Sequence, residues 1–142
     1  MKIDIAKFGL KDVPVNPDTV FSFPRGLVGF EDARRFTLFH EEDRPTVFWL
    51  QSLDDPQLAF SVVPPEAIDI EYEMELSEED CALIELRDPA EAAVVVILYR
   101  EAADEGRVAA STRSPLVLNL RARLGMQKVL REFHPTLLCR AR

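Results

Sequence analysis

Ten prolines punctuate the chain, at positions 14, 17, 24, 45, 56, 64, 65, 89, 115 and 135, so no long helix fits over most of its length. A proline inside a helix removes a backbone hydrogen bond and its ring clashes with the preceding turn. What such spacing leaves open is a series of short elements joined by turns.

Hydrophobic alternation identifies those elements as strands. Ile68, Ile70, Tyr72 and Met74 are separated by Asp69, Glu71 and Glu73, which puts one apolar face against a core and a row of carboxylates in water. The pattern predicts a half-buried strand there. Composition predicts further strands over Thr19 to Phe23, Phe36 to Phe39, Val47 to Gln51, Leu58 to Val63 and Val94 to Tyr99. The last is apolar on both faces, as a central strand would be. Turn residues lie between them: Pro24 to Gly29, His40 to Pro45, Asp54-Asp55-Pro56, Pro64-Pro65, Asp88-Pro89 and Glu105-Gly106.

One short helix is expected after Ser77, whose hydroxyl can cap the free amides while Glu78, Glu79 and Asp80 occupy the first turn. It should end before Asp88-Pro89. From Leu116 to Leu130, apolar residues alternate over Leu116, Leu118, Leu120, Ala122 and Leu124, although Leu116, Leu120 and Leu124 also match helical spacing. Pro115 before the run and Gly125 within it favour strand, turn, strand. No repeat, low-complexity segment or interdomain linker interrupts the chain, so residues 1–142 are expected to form one domain.

Charge is distributed unevenly. Residues 1–106 hold nine Lys/Arg against 24 Asp/Glu, net -15, whereas residues 107–142 hold eight against the single acid Glu132, net +7. An acidic body attracts basic partners and repels nucleic acid, while a basic end could neutralise phosphates or pack beside the acidic body. No stretch approaches the roughly 20 apolar residues that span a bilayer, and charges break the start MKIDIAKFGLKDV. A cytoplasmic location is expected. Cys81 and Cys139 stand far apart without metal-ligand spacing and read as small apolar residues kept reduced.

Chemistry-bearing motifs are scarce. His40 and His134 belong to no nucleophile or metal pattern, and Gly26 and Gly29 are turn glycines rather than a phosphate loop. The acids Glu71, Glu73, Glu75, Glu78, Glu79 and Asp80 would form a row along a strand rather than a closed cation cage, so no metal site, cofactor or catalytic residue is expected. That row is instead the candidate binding face for a basic protein. Arg113, Arg121, Arg123, Lys128 and Arg131 form a basic stretch without interleaved aromatics, which keeps an RNA-associated regulatory role as the alternative.

Two segments carry a family pattern: FSFPRGLVGFEDARRFTLF, from Phe21 to Phe39, and VFWLQSLDDPQLAFSVVPP, from Val47 to Pro65. They resemble the FliW family of bacterial flagellar assembly factors. The matching residues are Gly26, Leu27, Gly29, Phe30 and Glu31, then Trp49, Leu50, Gln51, Ser52, Asp55, Pro56, Ala59 and Phe60. The SEED segment at Ser77 to Asp80, PLVLN at Pro115 to Asn119, and Gly125 with Gln127 continue the same order. Val28 stands where the family usually has proline, and AASTRSP precedes Leu116 where the family reads more like TANLxAP.

Each matched residue also has a physical reason to be where it is: the glycines for backbone freedom, Trp49, Phe30 and Phe60 for buried area, Asp55-Pro56 for a hairpin turn. With or without the resemblance, the strands and turns predict an all-β, mainly antiparallel fold: a small, partly open barrel with one or two short helices. The resemblance further implies a non-enzymatic, monomeric protein with two alternative protein partners, flagellin and the translational regulator CsrA. In that scheme unsecreted flagellin displaces CsrA, which then represses flagellin translation. The acidic row is the expected CsrA-binding face.

Overall fold

The structure, a computed structural model, describes residues 1–41, 44–100, 108–130 and 136–137. Twelve strands, one α-helix and four short 3-10 turns account for its regular elements among those residues. A hairpin of β1 (Lys2–Ile5) and β2 (Leu10–Pro14) comes first. Then follow β3 (Val20–Ser22), β4 (Arg35–Glu41), β5 (Arg44–Ser52) and β6 (Ala59–Val63), joined by the antiparallel pairs β3–β4, β4–β5 and β5–β6. After β7 (Ile70–Glu71) and α1 (Glu78–Leu83), the chain returns as β8 (Ala92–Arg100), which pairs with β6. The remaining strands are β9 (Val108–Ala110), β10 (Leu116–Asn119), β11 (Leu124–Gln127) and β12 (Thr136–Leu137).

The ring closes because β8 has β6 on one edge and β10 on the other, with Leu116 opposite Val95 and Asn119 opposite Ala92. Going round, the order is β3, β4, β5, β6, β8, β10, β11 and back to β3, a seven-stranded barrel. The small, mainly antiparallel barrel expected from the sequence is therefore present. Its thinnest seam is β11 to β3, a single parallel pair between Leu124 and Ser22, supported by the Ser22 amide donating to the Arg123 carbonyl at 3.0 Å.

Period-2 burial fills the interior. Phe21, Phe23, Phe36, Leu50, Val62, Val95, Leu116 and Leu118 form one cluster, with Phe23 and Phe36 meeting edge to face at 5.6 Å. Fully burying side chains of this size stabilises by roughly 2 kcal/mol each. A second, outer layer packs Ile84, Val117 and Met126 with Leu83, Leu86, Met74 and Val94. That layer explains why Leu116 to Asn119 are buried on both faces: one faces the barrel, the other α1 and its flanks.

The N-terminal hairpin, which lacks strong alternation in sequence, covers the outside of β4 and β5. Phe8 stands edge-on to Trp49 at 5.1 Å and to Phe39 at 6.2 Å, and Lys7 lies over the Trp49 ring. Trp49 is thus sandwiched beneath the hairpin rather than placed inside the barrel.

Several expectations need correction. The strand foreseen from Ile68 to Met74 pairs only at Ile70 and Glu71. Pro65–Ile68 forms a 3-10 turn, and Asp69 follows in the left-handed region at φ 58°, so the ladder cannot start earlier. Beyond Glu71 the chain makes no ladder, although the alternation of exposed acids with half-buried Tyr72, Met74 and Leu76 persists. The turn between β10 and β11 falls at residues 120–123, and Gly125 sits within β11, where a Cβ would lie 2.7 Å from the Phe23 ring. The turn expected from His40 to Pro45 is shorter, since strand runs to Glu41 and resumes at Arg44. His134 and Cys139 lie outside the described residues.

The helix after Ser77 forms as expected, with a full capping box between Ser77 and Asp80. Gly26 carries the sharpest steric demand in the barrel's first loop. Its φ is +66°, and an added Cβ would lie 2.6 Å from the Glu31 carbonyl oxygen. Gly26→Ala is expected to cost about 2–4 kcal/mol, because a left-handed residue and a backbone clash add together. Urea unfolding checks this, and a loss below about 1 kcal/mol would show that the loop relaxes freely.

Candidate interaction surface

The acidic row begins on β7 and continues into α1. Glu71, Glu73, Glu75, Glu78 and Glu79 are all exposed, while Tyr72, Met74 and Leu76 turn inward. Among the described residues, only Glu79 of these five has an ion pair, a loose 3.9 Å contact with the exposed Arg25. Glu71, Glu73 and Glu75 thus alternate outward along an extended segment, and the exposed Glu78 and Glu79 follow at the start of α1.

Asp80, counted with that row from its sequence position, does not share its surface. It is only 9% exposed. Its carboxylate accepts from the Ser77 amide at 3.1 Å and from Lys128 Nζ at 2.5 Å. Burial pushes its pKa up, but the Lys128 and Ser77 hydrogen bonds outweigh this, and the group is held below its ordinary value of 3.8. A carboxyl depressed in the folded state stabilises at neutral pH, and that contribution disappears as pH falls from about 4 through the folded value. Asp80→Asn should therefore cost about 1–2 kcal/mol at pH 7. The gap to wild type should narrow below about pH 4; denaturation at both pH values tests it, and a pH-independent gap would contradict the assignment.

An open groove of about 710 Å³ lies beside the start of the row. Its floor is apolar, with Leu38, Phe48, Ile70, Val94 and Leu118, and its rim carries Glu66, Glu71 and Glu73. Among the described residues no histidine lines it. Tyr72, also on the lining, donates its hydroxyl to the Thr112 carbonyl at 2.6 Å, and burial pushes its pKa up to about 12. This bond ties the acidic segment to the linker between β9 and β10. Residues 96 and 97 of β8 lie opposite residues 111–115 there, between the pairs Leu98–Ala110 and Val95–Leu116. The departure AASTRSP is thus a bulge beside the acidic row.

The basic stretch is largely engaged in structure. Arg121 forms an ion pair with Glu91 and donates to the Glu85 carbonyl at 2.6 Å. The Arg123 guanidinium lies 5.4 Å over the Phe21 ring, and Lys128 is bound to Asp80. These three do not gather into one free basic face.

The motif residues organise two loops at one end of the barrel. Gln51 is fully buried, and its amide nitrogen donates to the carbonyls of Ser52, Asp55 and Pro56. Ser52 Oγ accepts from the amides of Asp54 and Asp55, which shapes the turn from β5 into β6. Asp54 then accepts from the amides of Arg34 and Arg35 and from the Arg35 guanidinium, joining that turn to the loop before β4. Burial raises the Asp54 pKa, but these donors outweigh it and hold it below the ordinary value. In the neighbouring loop, Leu27 is buried and forms a bridge with Phe30. Gly29, at φ +86°, donates its amide to the Glu31 carboxylate, and Phe30, 43% exposed, stands edge-on to Phe60. Ala59 opens β6 opposite Gln51, and Leu50 is in the core.

This arrangement has known counterparts. The family model described as FliW protein matches residues 4–137. The chain belongs to the FliW family. Relatives named flagellar assembly factor FliW include one from Azoarcus sp., 44% identical over 135 residues and covering 92% of this chain and 91% of its own. Another, from Chromobacterium violaceum, is 36% identical over 137 residues, covering 90% and 92%. A crystal structure of the flagellar assembly factor FliW superposes with a TM-score of 0.76 at 27% identity, over 89% of this chain and 88% of that one. The FliW match thus takes in the barrel, the acidic row and both motif loops. Among the described residues no helix is long and apolar enough to cross a membrane, and no cluster of three or more His, Cys, Asp or Glu could hold a metal ion.

Sequence reasoning singled out the row and the loops but missed the groove and the role of Asn119. Asn119 is fully buried, donates to the Ile84 and Glu85 carbonyls at 2.8 and 3.1 Å, and accepts from the Arg121 and Ala122 amides. A lone asparagine after three apolar residues was the available signal.

Proposed function

We propose that this chain is a flagellar assembly factor that binds flagellin and the translational regulator CsrA as alternatives, coupling flagellin translation to its secretion. Membership of the FliW family supports the flagellar role. The observation that carries the CsrA reading is the row of five exposed carboxylates, Glu71, Glu73, Glu75, Glu78 and Glu79, presented on a rigid barrel. A translational regulator that binds RNA needs a positive surface, and a fixed row of negative charge would steer it in and raise the negative potential near its bound RNA. Such a factor works by protein contact and requires no catalytic residue or cofactor, and it would act in the cytoplasm, where both partners are made.

Calorimetric titration of the purified protein with flagellin and with CsrA, separately and at two salt concentrations, tests this. Binding to both is expected, with CsrA binding weakened by salt because exposed charges are screened. Binding to neither would overturn the proposal.

A further inference from the structure

Of residues 1–14 only Ile5 is buried, with Ile3, Phe8 and Val13 half-buried and the rest exposed. β1 and β2 form a two-stranded sheet of their own, separate from the barrel ladder, and its register breaks between Ile3 and Ile5. Among the described residues, the backbone hydrogen bond that joins this hairpin to the barrel runs from the Ala6 amide to the Pro56 carbonyl at 3.1 Å. A two-stranded ribbon is marginal by itself in water, so a few side-chain anchors, Ile5 and Phe8 foremost, decide whether it stays down.

The hairpin is nevertheless closed on itself and rooted at one end. The Val15 amide donates to the Met1 carbonyl at 2.9 Å and the Asp12 amide to the Asp4 carboxylate at 3.0 Å. Just beyond, Asn16 caps the 3-10 turn Pro17–Thr19, and the Thr19 and Thr37 hydroxyls share a 2.7 Å hydrogen bond that fixes this turn to β4. Val15 and Asn16 are therefore the link between a self-contained ribbon and a fixed root.

What the hairpin covers is a sheet face of mixed chemistry. Phe36 and Leu50 point into the barrel, so by alternation Thr37 and Phe39 of β4 and Trp49 and Gln51 of β5 point outward, paired as Thr37–Gln51 and Phe39–Trp49. Gln51 is fully buried there, and its Oε1 meets no hydrogen-bond donor among the described residues. Its Nε2 donates to the Pro56 carbonyl, the same acceptor that the Ala6 amide uses. A buried acceptor without a donor costs stability in the closed arrangement, and lifting the hairpin would return it to water. Opening therefore costs less than the apolar contacts of Phe8 and Ile5 alone would set.

We propose that residues 1–14 are a lid, hinged at Val15 and Asn16, that swings off the outer face of β4 and β5 while the barrel stays folded, uncovering Phe39, Trp49 and Gln51. Segments held by few buried contacts open locally at a fraction of the global unfolding free energy. Shut, the lid shields two aromatic rings on the outside of the barrel. Open, it presents a face that the closed molecule does not have. That face is separate from the acidic row, and the inference depends on no partner.

The test uses the full chain and two readouts. In wild-type hydrogen exchange the Ala6 amide should exchange at least about 100-fold faster than those of Leu50 and Val62, which lie on strands paired along both edges. Trp49 is the one tryptophan in the chain, so its fluorescence reports the lid directly. Ile5→Ala removes an anchor and leaves Phe8, the ring that meets Trp49, in place. This variant should speed Ala6 exchange at least about tenfold and raise acrylamide quenching of Trp49 at least about twofold, with Leu50 and Val62 exchange unchanged. Equal wild-type exchange at Ala6, Leu50 and Val62 would mean that the hairpin leaves only when the barrel unfolds, and overturns the proposal. So would Ile5→Ala accelerating all three amides alike, or accelerating Ala6 with no added quenching of Trp49.

Discussion

Asn119→Leu is expected to lower stability by about 4 kcal/mol, the largest loss from any single polar side chain in the barrel. Four hydrogen bonds end together, and each net bond contributes about 1 kcal/mol, with more lost where a buried partner is left unsatisfied. The four partners belong to two different elements. The Ile84 and Glu85 carbonyls end α1, where Glu85 sits in the left-handed region at φ 54°, and the Arg121 and Ala122 amides form the turn between β10 and β11. One amide side chain therefore fastens the outer layer to the barrel turn. Leucine has similar volume, so the loss would report on hydrogen bonding rather than on a cavity. A fall in melting midpoint of about 10–15 °C is expected for a chain of this size, and a fall below about 3 °C would show that water replaces the lost partners.

Reversing four charges, Glu71, Glu73, Glu78 and Glu79 to Lys, is expected to weaken CsrA binding by at least about 100-fold at low salt while leaving the barrel folded. All four are exposed, and their only ion pair among the described residues is the 3.9 Å contact of Glu79 with Arg25. Surface substitutions of this kind usually change stability by less than about 0.5 kcal/mol each. Loss of binding with an unchanged melting curve is thus the expected pair of results. Asp80→Asn supplies the contrast: it should cost stability and leave affinity nearly unchanged, because its carboxylate faces Ser77 and Lys128 rather than solvent. Unchanged CsrA affinity in the four-charge variant would remove the acidic row from the mechanism.

What could be read from the chain followed from local rules. Alternation and β-branched runs located β3, β4, β5, β6 and β8 to within a few residues, and Ser77 with Asp80 announced the helix cap. These signals work because the period-2 pattern maps directly onto inside and outside of a barrel wall. The limits were equally physical. Ile68 to Met74 has a strand's alternation, but pairing also needs a neighbour edge, and the 3-10 turn begun at Pro65 with Asp69 at φ 58° shifts the ladder to two residues. The N-terminal hairpin carries little alternation because it covers the outside of β4 and β5 mainly through Phe8 and the buried Ile5. Closure through β8 and β10 joins residues more than 20 apart in sequence, and no local pattern encodes it.

The acidic row shows the same division. Its five exposed members were legible from composition, since glutamates at alternate positions of an extended segment have to reach water. Asp80 was not separable from them by sequence. Its burial depends on Lys128, 48 residues away. The groove beside the row was equally hidden, because its lining comes from β4, β5, β7, β8 and the end of β10.

The most direct test of the exchange between partners is a titration of CsrA into this protein, alone and then saturated with flagellin. The account predicts measurable binding in the first case and its loss in the second, with heat of flagellin binding recovered when the order is reversed. CsrA binding of equal strength with and without flagellin would contradict it.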